Sequence, residues 1–387
     1  PDVTLVPLDG PPESIDADVI VDALLGTGLG GEVREDYAAI IRAINNSGRP
    51  VFAVDVPSGL CADSGRVLGT AVRAQATATF IGVKAGLLTG AGPGQCGVLE
   101  FDDLRVPPEI YDRVGHAGAR LTADLIDQAL PRRARDAHKG HFGHVLVVGG
   151  DLGFGGAALM AARAACRTGA GLVSVATRAE HVPALLTSRP EVMARGVDHP
   201  EDLETLLRHA SVVVLGPGLG QDAWGRALWQ KVLDSGLPRV LDADALNLLA
   251  ADTSHPAFRD QILTPHPGEA ARLLDTDTGE IQTGRFEAVQ QLQQRYGGAA
   301  VLKGAGSLVC GGPDEPLGLC TDGNPGMASG GMGDVLSGIM GGLLAQGLDV
   351  STAARVGTLV HALAADRAVE HEGERGLVAT DLLPQIR

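Results

Sequence analysis

Aromatic and basic residues are scarce in this chain. Phe, Trp and Tyr together make up only 3% of its 387 residues, although hydrophobic residues reach 44%. Its cores must therefore be packed mainly from Ala, Val and Leu. The formal net charge is −16, and the only run enriched in Lys and Arg lies at residues 132–139. Nucleic-acid binding needs a basic surface, so we expect small soluble substrates and no nucleic-acid partner.

Cysteine pairs, membrane segments and repeats are also missing. The five cysteines are scattered and form no Cys-x-x-Cys motif, which argues against a zinc site and fits a reduced, cytoplasmic setting. We find no signal peptide, no apolar run of membrane-spanning length and no repeat of solenoid length. The chain does not begin with Met, and residues 2–6 already have the composition of a strand. We therefore expect the N-terminus to be cut.

The length favours two domains, and the pattern of strands divides the chain accordingly. Short runs rich in Val, Ile and Ala alternate with helical patterns, which is typical of βαβ units around a parallel sheet. For the first domain, residues 1–115, we predict strands at 18–25, 50–56 and 76–82, a helix near 37–44 and a loose exit at 106–115. For the second, residues 116–387, we predict a helix at 157–168 and strands at 143–150, 171–177, 211–216, 239–243, 262–264 and 299–303.

The most informative segment is residues 324–347, in which glycines crowd in front of Asp334. After Asp334, apolar residues recur with helical spacing, so we predict a glycine loop that leads into a helix N-terminus. Unpaired N–H groups and the helix dipole attract anions at such a place. An aspartate would repel a bound phosphate. Asp334 therefore either caps the helix or acts as a base that takes a proton from a hydroxyl during phosphoryl transfer.

Polar loops follow the strands of the second domain, at the sheet edge where open α/β folds bind ligands. The Gly-Pro-Gly-Leu-Gly motif at 216–220 either lets a ligand approach the backbone closely or forms an ordinary glycine turn. Asp242 and Asp244 end the next strand. These carboxylates either hold magnesium through water or cap the helix that follows.

Two further loops carry charged groups. In the Thr-Pro-His-Pro-Gly-Glu motif at 264–269, two prolines fix the direction of His266. Glu269 is either an early-helix charge or a group that orders metal-bound waters. Lys303 stands at a strand end before the small residues 304–307. A lysine at a strand end is usually just solvated. Here, however, the backbone amides of the small residues and the lysine ammonium would also suit a nucleotide phosphate.

In this order, the motifs resemble the ribokinase-like superfamily, and specifically the ADP/ATP-dependent NAD(P)H-hydrate dehydratases. The resemblance spans about residues 120–387 and implies an α/β/α sandwich. It rests on the segments at 138–150, 169–173, 216–220, 242–247, 264–269, 303–307 and 330–334. One departure is Met332, where the family typically has a small hydroxyl residue. That position supplies mainly backbone, so we expect activity to be retained.

The resemblance implies a repair reaction. NADH and NADPH add water across a ring double bond, and phosphorylation of the resulting hydroxyl by ADP, or alternatively ATP, with Mg²⁺ makes it a good leaving group. Elimination then restores NAD(P)H and leaves AMP and phosphate when ADP is the donor. Asp334 would be the general base, and N–H groups of residues 330–333 would stabilise the transferring phosphoryl group. The implied nucleotide-binding residues are Lys303, Gly304, Ala305, Gly306, Ser307 and Gly333. The implied hydrate-binding residues are Ala157, Gly218, Gly220, His266 and Asp334.

The N-terminal region resembles the latter part of the Rossmann-like NAD(P)H-hydrate epimerase domain, through motifs at 21–29, 53–60 and 80–86. The resemblance implies that Asp22 and Ser58 bind potassium and that Asp55 contacts the reacting nucleotide. The residues implied to wrap the substrate phosphates are Gly26, Thr27, Gly28, Leu29, Gly30, Gly31 and Glu32. The Asn- and Gly-rich segment expected upstream is absent, so we expect a partial domain, which arises either from truncation of the chain or from genuine loss. Epimerisation of the R and S hydrates is expected only of a complete one.

Two other functions fit parts of the sequence. A small-alcohol kinase of the same superfamily would use the same aspartate and anion loop but release a stable phosphorylated product. The motif at 264–269 and the epimerase-like segment favour the dehydratase. A non-catalytic nucleotide-binding protein, with the N-terminal domain as an interaction surface, is the second alternative. The resemblance also implies a homo-oligomer, while the choices between ADP and ATP, and between NADH and NADPH hydrate, stay open.

Overall fold

A computed structural model describes residues 10, 12, 14–252 and 256–386. The described part divides into two compact units. One contains the residues up to 118 together with 304–306, and the other contains 119–303 and 307–386. The strand expected at residues 2–6 lies outside the described residues. No helix in the described ranges combines the length and apolarity needed to cross a lipid bilayer.

The first unit is built on a four-stranded parallel sheet in the order β1-β2-β3-β4. Its strands are β1 (Ile20–Asp22), β2 (Val51–Val54), β3 (Ala76–Phe80) and β4 (Val98–Asp102). Its helices are α1 (Glu35–Asn46), α2 (Gly92–Cys96) and α3 (Pro108–Val114), with a 3-10 turn at Ala85–Leu87. The first three strands and α1 lie where the sequence predicts them. The stretch at 106–115 does lie at the end of this unit. The loose conformation predicted for it is wrong, because Pro108 starts a helix there, at a position where its fixed φ is favourable.

The second unit contains a ten-stranded sheet in the order β5-β14-β13-β12-β11-β10-β9-β6-β7-β8. Its strands are β5 (Gly118–Arg120), β6 (His144–Val148), β7 (Leu172–Thr177), β8 (Met193–Gly196), β9 (Val212–Leu215), β10 (Arg239–Leu241), β11 (Gln261–Leu263), β12 (Ala299–Leu302), β13 (Ser307–Cys310) and β14 (Leu317–Cys320). Strands β12 to β8 in this order are parallel, whereas β13 and β14 form an antiparallel extension. All six predicted strands are present, and β5, β8, β13 and β14 are additional.

Helices cover both faces of this sheet. They are α4 (Asp124–Ala129), α5 (Gly155–Thr168), α6 (Val182–Ser188), α7 (Leu203–Leu207), α8 (Ala223–Asp234), α9 (Asp244–Ala251), α10 (Pro267–Leu274), α11 (Thr278–Thr283), α12 (Arg285–Tyr296), α13 (Met332–Ala345), α14 (Val350–Val369) and α15 (Ala379–Leu382). Short 3-10 turns lie at Lys139–Phe142, Ala179–His181, Pro200–Asp202, Pro325–Met327 and Leu383–Gln385. Helices α5, α13 and α14 pack on one face, and α8 and α12 contact strands from the other. The predicted α/β/α sandwich is confirmed.

Helix α13 is the central helix of the second unit. It is buried almost all round, as its near-continuous apolar sequence requires. A Cβ on Gly338 would overlap the carbonyl oxygen of Ala161, and one on Gly342 would lie 3.0 Å from that of Ala165. The backbones of α13 and α5 therefore touch, so glycine is needed at position 338, and a side chain at 342 would require the neighbouring backbone to shift slightly. This packing fixes the N-terminus of α13 against the sheet.

Candidate active sites

The predicted loops of the second unit converge at one sheet edge. Strands β9, β10, β11 and β12 are adjacent and parallel, so their carboxyl ends lie side by side. The loops that begin at residues 216, 242, 264 and 303 leave from these ends. The sheet therefore brings together residues that are nearly 90 positions apart in the chain, at the edge where α/β folds place ligands.

A buried ion pair forms the centre of this edge. The Lys303 Nζ atom lies 2.9 Å from Oδ1 of Asp242, and the same oxygen accepts a hydrogen bond of 2.9 Å from the Thr264 hydroxyl. Asp242 is almost completely buried, so these partners compensate a carboxylate that would otherwise be costly to bury. Burial lowers the pKa of Lys303, but Asp242 and Glu269 outweigh that effect and raise it above its usual value. Lys303 is thus a permanent cation.

His266 and Glu269 form a reciprocal cap at the start of α10. The Glu269 carboxylate accepts a hydrogen bond of 2.7 Å from the His266 N–H, and His266 Nδ1 accepts from the backbone of residues 268 and 269. Because Nδ1 is an acceptor, neutral His266 carries its proton on Nε2. Burial and the charge of Lys303 lower the pKa of His266, so it stays neutral. Burial raises the pKa of Glu269. Glu269 thus acts as a charged group at the start of α10, as one of its two predicted roles requires. Its carboxylate also lies 3.8 Å from Lys303 Nζ.

Asp334 lies on the first turn of α13, and the helix does not use it as its N-cap. The N-cap is Gly331, whose φ of 90° favours glycine. Among the described residues, no hydrogen bond reaches the Asp334 carboxylate. Burial and the carboxylate of Asp242 raise the pKa of Asp334 to about 7, although Lys303 opposes the shift. A carboxylate with this pKa and free oxygens can accept a proton near neutral pH.

Gly333 connects the helix N-terminus to the ion pair. A Cβ at this position would lie 3.2 Å from Asp242 Oδ2 and 3.3 Å from Lys303 Nζ. At Gly330, a Cβ would meet nothing within 4 Å. The first turn of α13 therefore lies directly against Asp242 and Lys303. Met332, the departure from the family pattern, points into the core and is 6% exposed.

The residues predicted to bind the hydrate lie around the loop at 216–220. A Cβ on Gly218 would come within 3.3 Å of Ala157 Cβ, and one on Gly220 would lie 3.0 Å from Asp151 Oδ2. The loop is held by Asp244, whose carboxylate accepts a hydrogen bond of 2.9 Å from the Gly220 N–H. The structure thus brings Ala157, Gly218 and Gly220 together. His266 follows β11, two strands away in the sheet.

Asp242 and Asp244 point to different partners because the residue between them is strained. Ala243 has φ 48° and ψ −118°, an uncommon conformation for a residue with a side chain. Asp244 begins α9 but hydrogen-bonds the glycine loop, and Asp242 faces Lys303. Neither carboxylate provides a side-chain cap at the N-cap position. Such strain is concentrated at functional sites.

Two residues near this site were missed by sequence reasoning. Asp151 follows β6, pairs with Arg178 at 2.7 Å and lies against Gly220. His361, on α14, contacts the backbone of Met332, and burial lowers its pKa to about 4. Its Nε2 is the one buried side-chain nitrogen or oxygen without a hydrogen-bond partner in the described part of the chain. Asp151 follows a strand and could have been noticed, but His361 lies in an apolar helical run that gave no signal.

The nucleotide loop predicted at 303–307 contains two glycines with positive φ values. Gly304 and Gly306 have φ values of 141° and 61°, which few residues other than glycine adopt. The loop is therefore shaped by its glycines.

The residues at this edge could hold magnesium only together with a bound nucleotide. No group of three His, Cys, Asp or Glu side chains within the described ranges could hold a metal by itself. Asp242 and Asp244 are already engaged by protein donors. Magnesium commonly binds through one or two carboxylates, several waters and substrate phosphates. The residues therefore fit a hydrated ion that arrives with a nucleotide.

In the first unit, Asp22 and Ser58 are in direct contact. Asp22 accepts hydrogen bonds from the Ser58 hydroxyl at 2.6 Å and from its N–H at 2.8 Å, and the Leu25 carbonyl oxygen lies 3.2 Å from the hydroxyl. Asp22 is 1% exposed, and none of the described cations pairs with it. A carboxylate, a hydroxyl and a carbonyl offer the oxygen donors that a hard cation takes. The predicted potassium ligands thus fit such an ion.

Asp55 lies at the end of β2, next to the end of β1. It has φ 69° and accepts hydrogen bonds from Lys84, the Phe80 N–H and Thr79. Burial opposes the shift, but these donors lower the pKa of Asp55 below its usual value. Lys84 was not recognised as a site residue from the sequence. The predicted phosphate loop, residues 26–32, is exposed except at the partly buried Leu29, and a Cβ on any of its four glycines would meet nothing within 4 Å.

Known proteins match both units. A family model described as NAD(P)H-hydrate dehydratase matches residues 145–387, and one described as YjeF-related protein N-terminus matches residues 4–86. The bifunctional NAD(P)H-hydrate repair enzyme of Coxiella burnetii is 54% identical over 372 residues, which cover 96% of this chain and 75% of that protein. The enzyme of the same name from Escherichia coli is 46% identical over 376 residues, with coverage of 97% and 72%.

A solved structure matches the second unit. The ADP/ATP-dependent NAD(P)H-hydrate dehydratase from Bacillus subtilis, co-crystallised with ATP and Mg²⁺, superimposes with a TM-score of 0.62 at 26% identity. The match covers 70% of this chain and 97% of that one. Together with the two family models and the extended identity to the repair enzymes, it establishes that this chain belongs to the family of bifunctional NAD(P)H-hydrate repair enzymes.

Proposed function

We propose that the second unit dehydrates the S epimer of NADH or NADPH hydrate, with ADP or ATP as phosphoryl donor. The observation that carries the proposal is Asp334, a carboxylate with a pKa of about 7 and no hydrogen-bond partner in the described part of the chain, on the first turn of a buried helix. A base with this pKa is matched to proton abstraction near neutral pH. The helix N-terminus beside it favours a phosphoryl group.

The reaction proceeds in two steps. Asp334 takes the proton of the ring hydroxyl while the hydroxyl oxygen bonds to the terminal phosphorus of the donor, and the bond from that phosphorus to AMP, when ADP is the donor, breaks. The carbon–oxygen bond of the new phosphate ester then breaks, the electron pair leaves with phosphate, and transfer of a ring proton to water restores the double bond. Lys303 and the N–H groups of residues 330–333 oppose the charge that develops during transfer.

Magnesium would be bound by the donor phosphates and water, and it would supply charge neutralisation at the transferring group. The nucleotide would occupy Lys303, Gly304, Ala305, Gly306, Ser307 and Gly333. The hydrate would contact Ala157, Gly218, Gly220 and His266. The contact of Gly333 with the Asp242–Lys303 pair and of Gly218 with Ala157 supports this division.

For the first unit we propose binding of the same nicotinamide nucleotide beside potassium, as in an epimerase. Asp22 and Ser58 would hold the ion, the Leu25 carbonyl adding a third oxygen. Asp55 would contact the reacting nucleotide, and residues 26–32 would wrap its phosphates. Lys84 would keep Asp55 ionised. A homo-oligomer and a cytoplasmic location remain predictions.

The primary test is recovery of reduced-nicotinamide absorbance from purified S hydrate with ADP, with ATP and without nucleotide. We expect nucleotide-dependent recovery, and Asp334→Asn should lower turnover by about 10² to 10⁴ while ADP binding persists. Asp314→Asn, which removes an exposed carboxylate elsewhere in the same unit, is the control. No recovery with either nucleotide would contradict the dehydratase and lead to a screen of small alcohols for kinase activity.

The first unit is tested with the pure R epimer in potassium or sodium salts. We expect the hydrate to bind more tightly in potassium than in sodium, and Asp22→Asn should abolish the difference, whereas Asp63→Asn at an exposed position should not. Equal affinity in both salts would contradict a role for potassium in this unit.

A further inference from the structure

Three arginines line a cavity of 280 Å³ in the second unit, away from the sheet edge described above. Arg163 and Arg167 lie one turn apart on α5, and Arg189 follows α6. Cys166, Glu191 and Val192 complete the lining. Arg163 and Arg167 are six and ten residues from Ala157 on the same helix, or about 9 and 15 Å along its axis. The cavity is therefore distinct from the proposed hydrate site.

The three guanidinium groups have no anionic partner in the described part of the chain. None of them makes an ion pair or a side-chain hydrogen bond there, and Glu191 forms none with them. Arg163 and Arg189 are partly buried. Burial and repulsion from Arg189 and Arg167 lower the pKa of Arg163, so Arg163 lies close to both of the other cations.

The Cys166 thiol does not compensate this charge. Burial and the nearby Glu191 raise its pKa to about 11, so it is neutral at physiological pH. The lining thus carries three cations against one carboxylate, in a chain whose formal net charge is −16. The unfavourable interaction is the repulsion among the three guanidinium groups, and an anion bound between them would relieve it.

We propose that this cavity binds a small phosphorylated anion through Arg163, Arg167 and Arg189. Guanidinium groups present paired N–H donors that match phosphate oxygens, and a cavity of this size lies at the lower end of ligand pockets. The anion would relieve the repulsion among the arginines. Val192 and the neutral thiol give the cavity an apolar wall.

Pyrophosphate is the probe, and the readout is specific to the site. The whole chain is treated with phenylglyoxal, which modifies arginine, and the modified peptides are quantified by mass spectrometry. Pyrophosphate should slow modification of Arg163, Arg167 and Arg189 but not of Arg195, an exposed arginine on β8. Binding without protection of these three arginines would place the anion elsewhere and overturn the proposal.

Two variants measured by calorimetry test the charges in opposite directions. Arg189→Ala should weaken pyrophosphate binding about 10- to 100-fold, whereas Arg195→Ala should leave it unchanged. Glu191→Gln should strengthen binding about two- to fivefold, a gain that misfolding cannot produce. No change in either variant would overturn the proposal. The three arginines could also resist phenylglyoxal without pyrophosphate and become reactive when the protein is diluted. That result would show that an acidic surface of a second copy fills the cavity instead.

Discussion

The Lys303 ammonium lies 2.9 Å from the Asp242 carboxylate, and both charged groups influence the pKa of Asp334. Asp242 raises the pKa of Asp334, and Lys303 lowers it. Because Gly333 packs against both members of the pair, their positions are coupled to the first turn of α13. The pKa of Asp334 therefore depends on Asp242 and Lys303, which follow strands β10 and β12.

The rate of the proposed reaction should depend on pH through Asp334. Its pKa of about 7 lies above the usual value, so the carboxylate is protonated and inactive at lower pH. The single-turnover rate should rise with pH, pass half its maximum near pH 7 and level off above it. Asp242→Asn removes a like charge and should move this midpoint to lower pH, whereas Asp314→Asn should not. An active Asp242→Asn enzyme with an unchanged midpoint would contradict the electrostatic coupling.

The same pKa shift predicts a gain in stability when Asp334 is replaced by Asn. Between about pH 4 and 7 the folded state holds a proton that the unfolded state releases, so the free energy of unfolding falls as the pH rises through this range. At pH 8 the ionised carboxylate destabilises the fold by up to about 4 kcal/mol. Asp334→Asn should therefore raise the urea midpoint at pH 8 and have little effect at pH 4.

Tryptophan fluorescence follows this unfolding specifically, because both tryptophans of the chain, Trp224 and Trp229, lie in α8 of the second unit. Asp314→Asn serves as the control and should show no such pH-dependent difference. Equal destabilisation of the Asp334→Asn protein at both pH values would mean that the carboxylate is favourably placed in the fold.

Replacing Lys303 by Met should weaken nucleotide binding. Loss of a charged donor to a phosphate, at about 1.5–3 kcal/mol, corresponds to roughly a 10- to 100-fold rise in the dissociation constant for ADP, measured by calorimetry. The pKa of Asp334 should also rise further, because Lys303 opposes its shift. Lys231→Met removes a partly buried lysine that pairs with Glu204, away from this site, and should change neither quantity. A folded Lys303→Met protein with normal ADP affinity would exclude Lys303 as a nucleotide ligand.

Adding one methyl group at Gly333 should impair turnover. The new Cβ would lie 3.2–3.3 Å from Asp242 Oδ2 and Lys303 Nζ, so the ion pair must shift by a few tenths of an ångström. Misplacement of reacting groups lowers rates steeply, and we expect turnover by Gly333→Ala to fall about tenfold or more. Gly330→Ala keeps its N–H and has open space around the Cβ, so its turnover should stay within a few-fold of wild type. Equal rates for the two variants would show that the contact is unimportant.

The main strands and the order of the site loops could be predicted because runs of Val and Leu mark buried parallel strands. Strand β8 (Met-Ala-Arg-Gly) and strand β14 (Leu-Gly-Leu-Cys) lack such a run, and they are extended because a neighbouring strand pairs with them. Asp334 could be singled out from the glycines before it. Its raised pKa could not, because that depends on burial and on Asp242, which is 92 residues away.

The contacts of Gly338 with Ala161 and of Gly342 with Ala165 place backbone directly against backbone between α13 and α5. A contact of this kind contains no long side chain that could rotate to enlarge the neighbouring site. Adaptation to a different substrate must therefore arise in the loops that follow β9 and β11. Libraries for altered specificity should vary those loops and leave the two helices as they are.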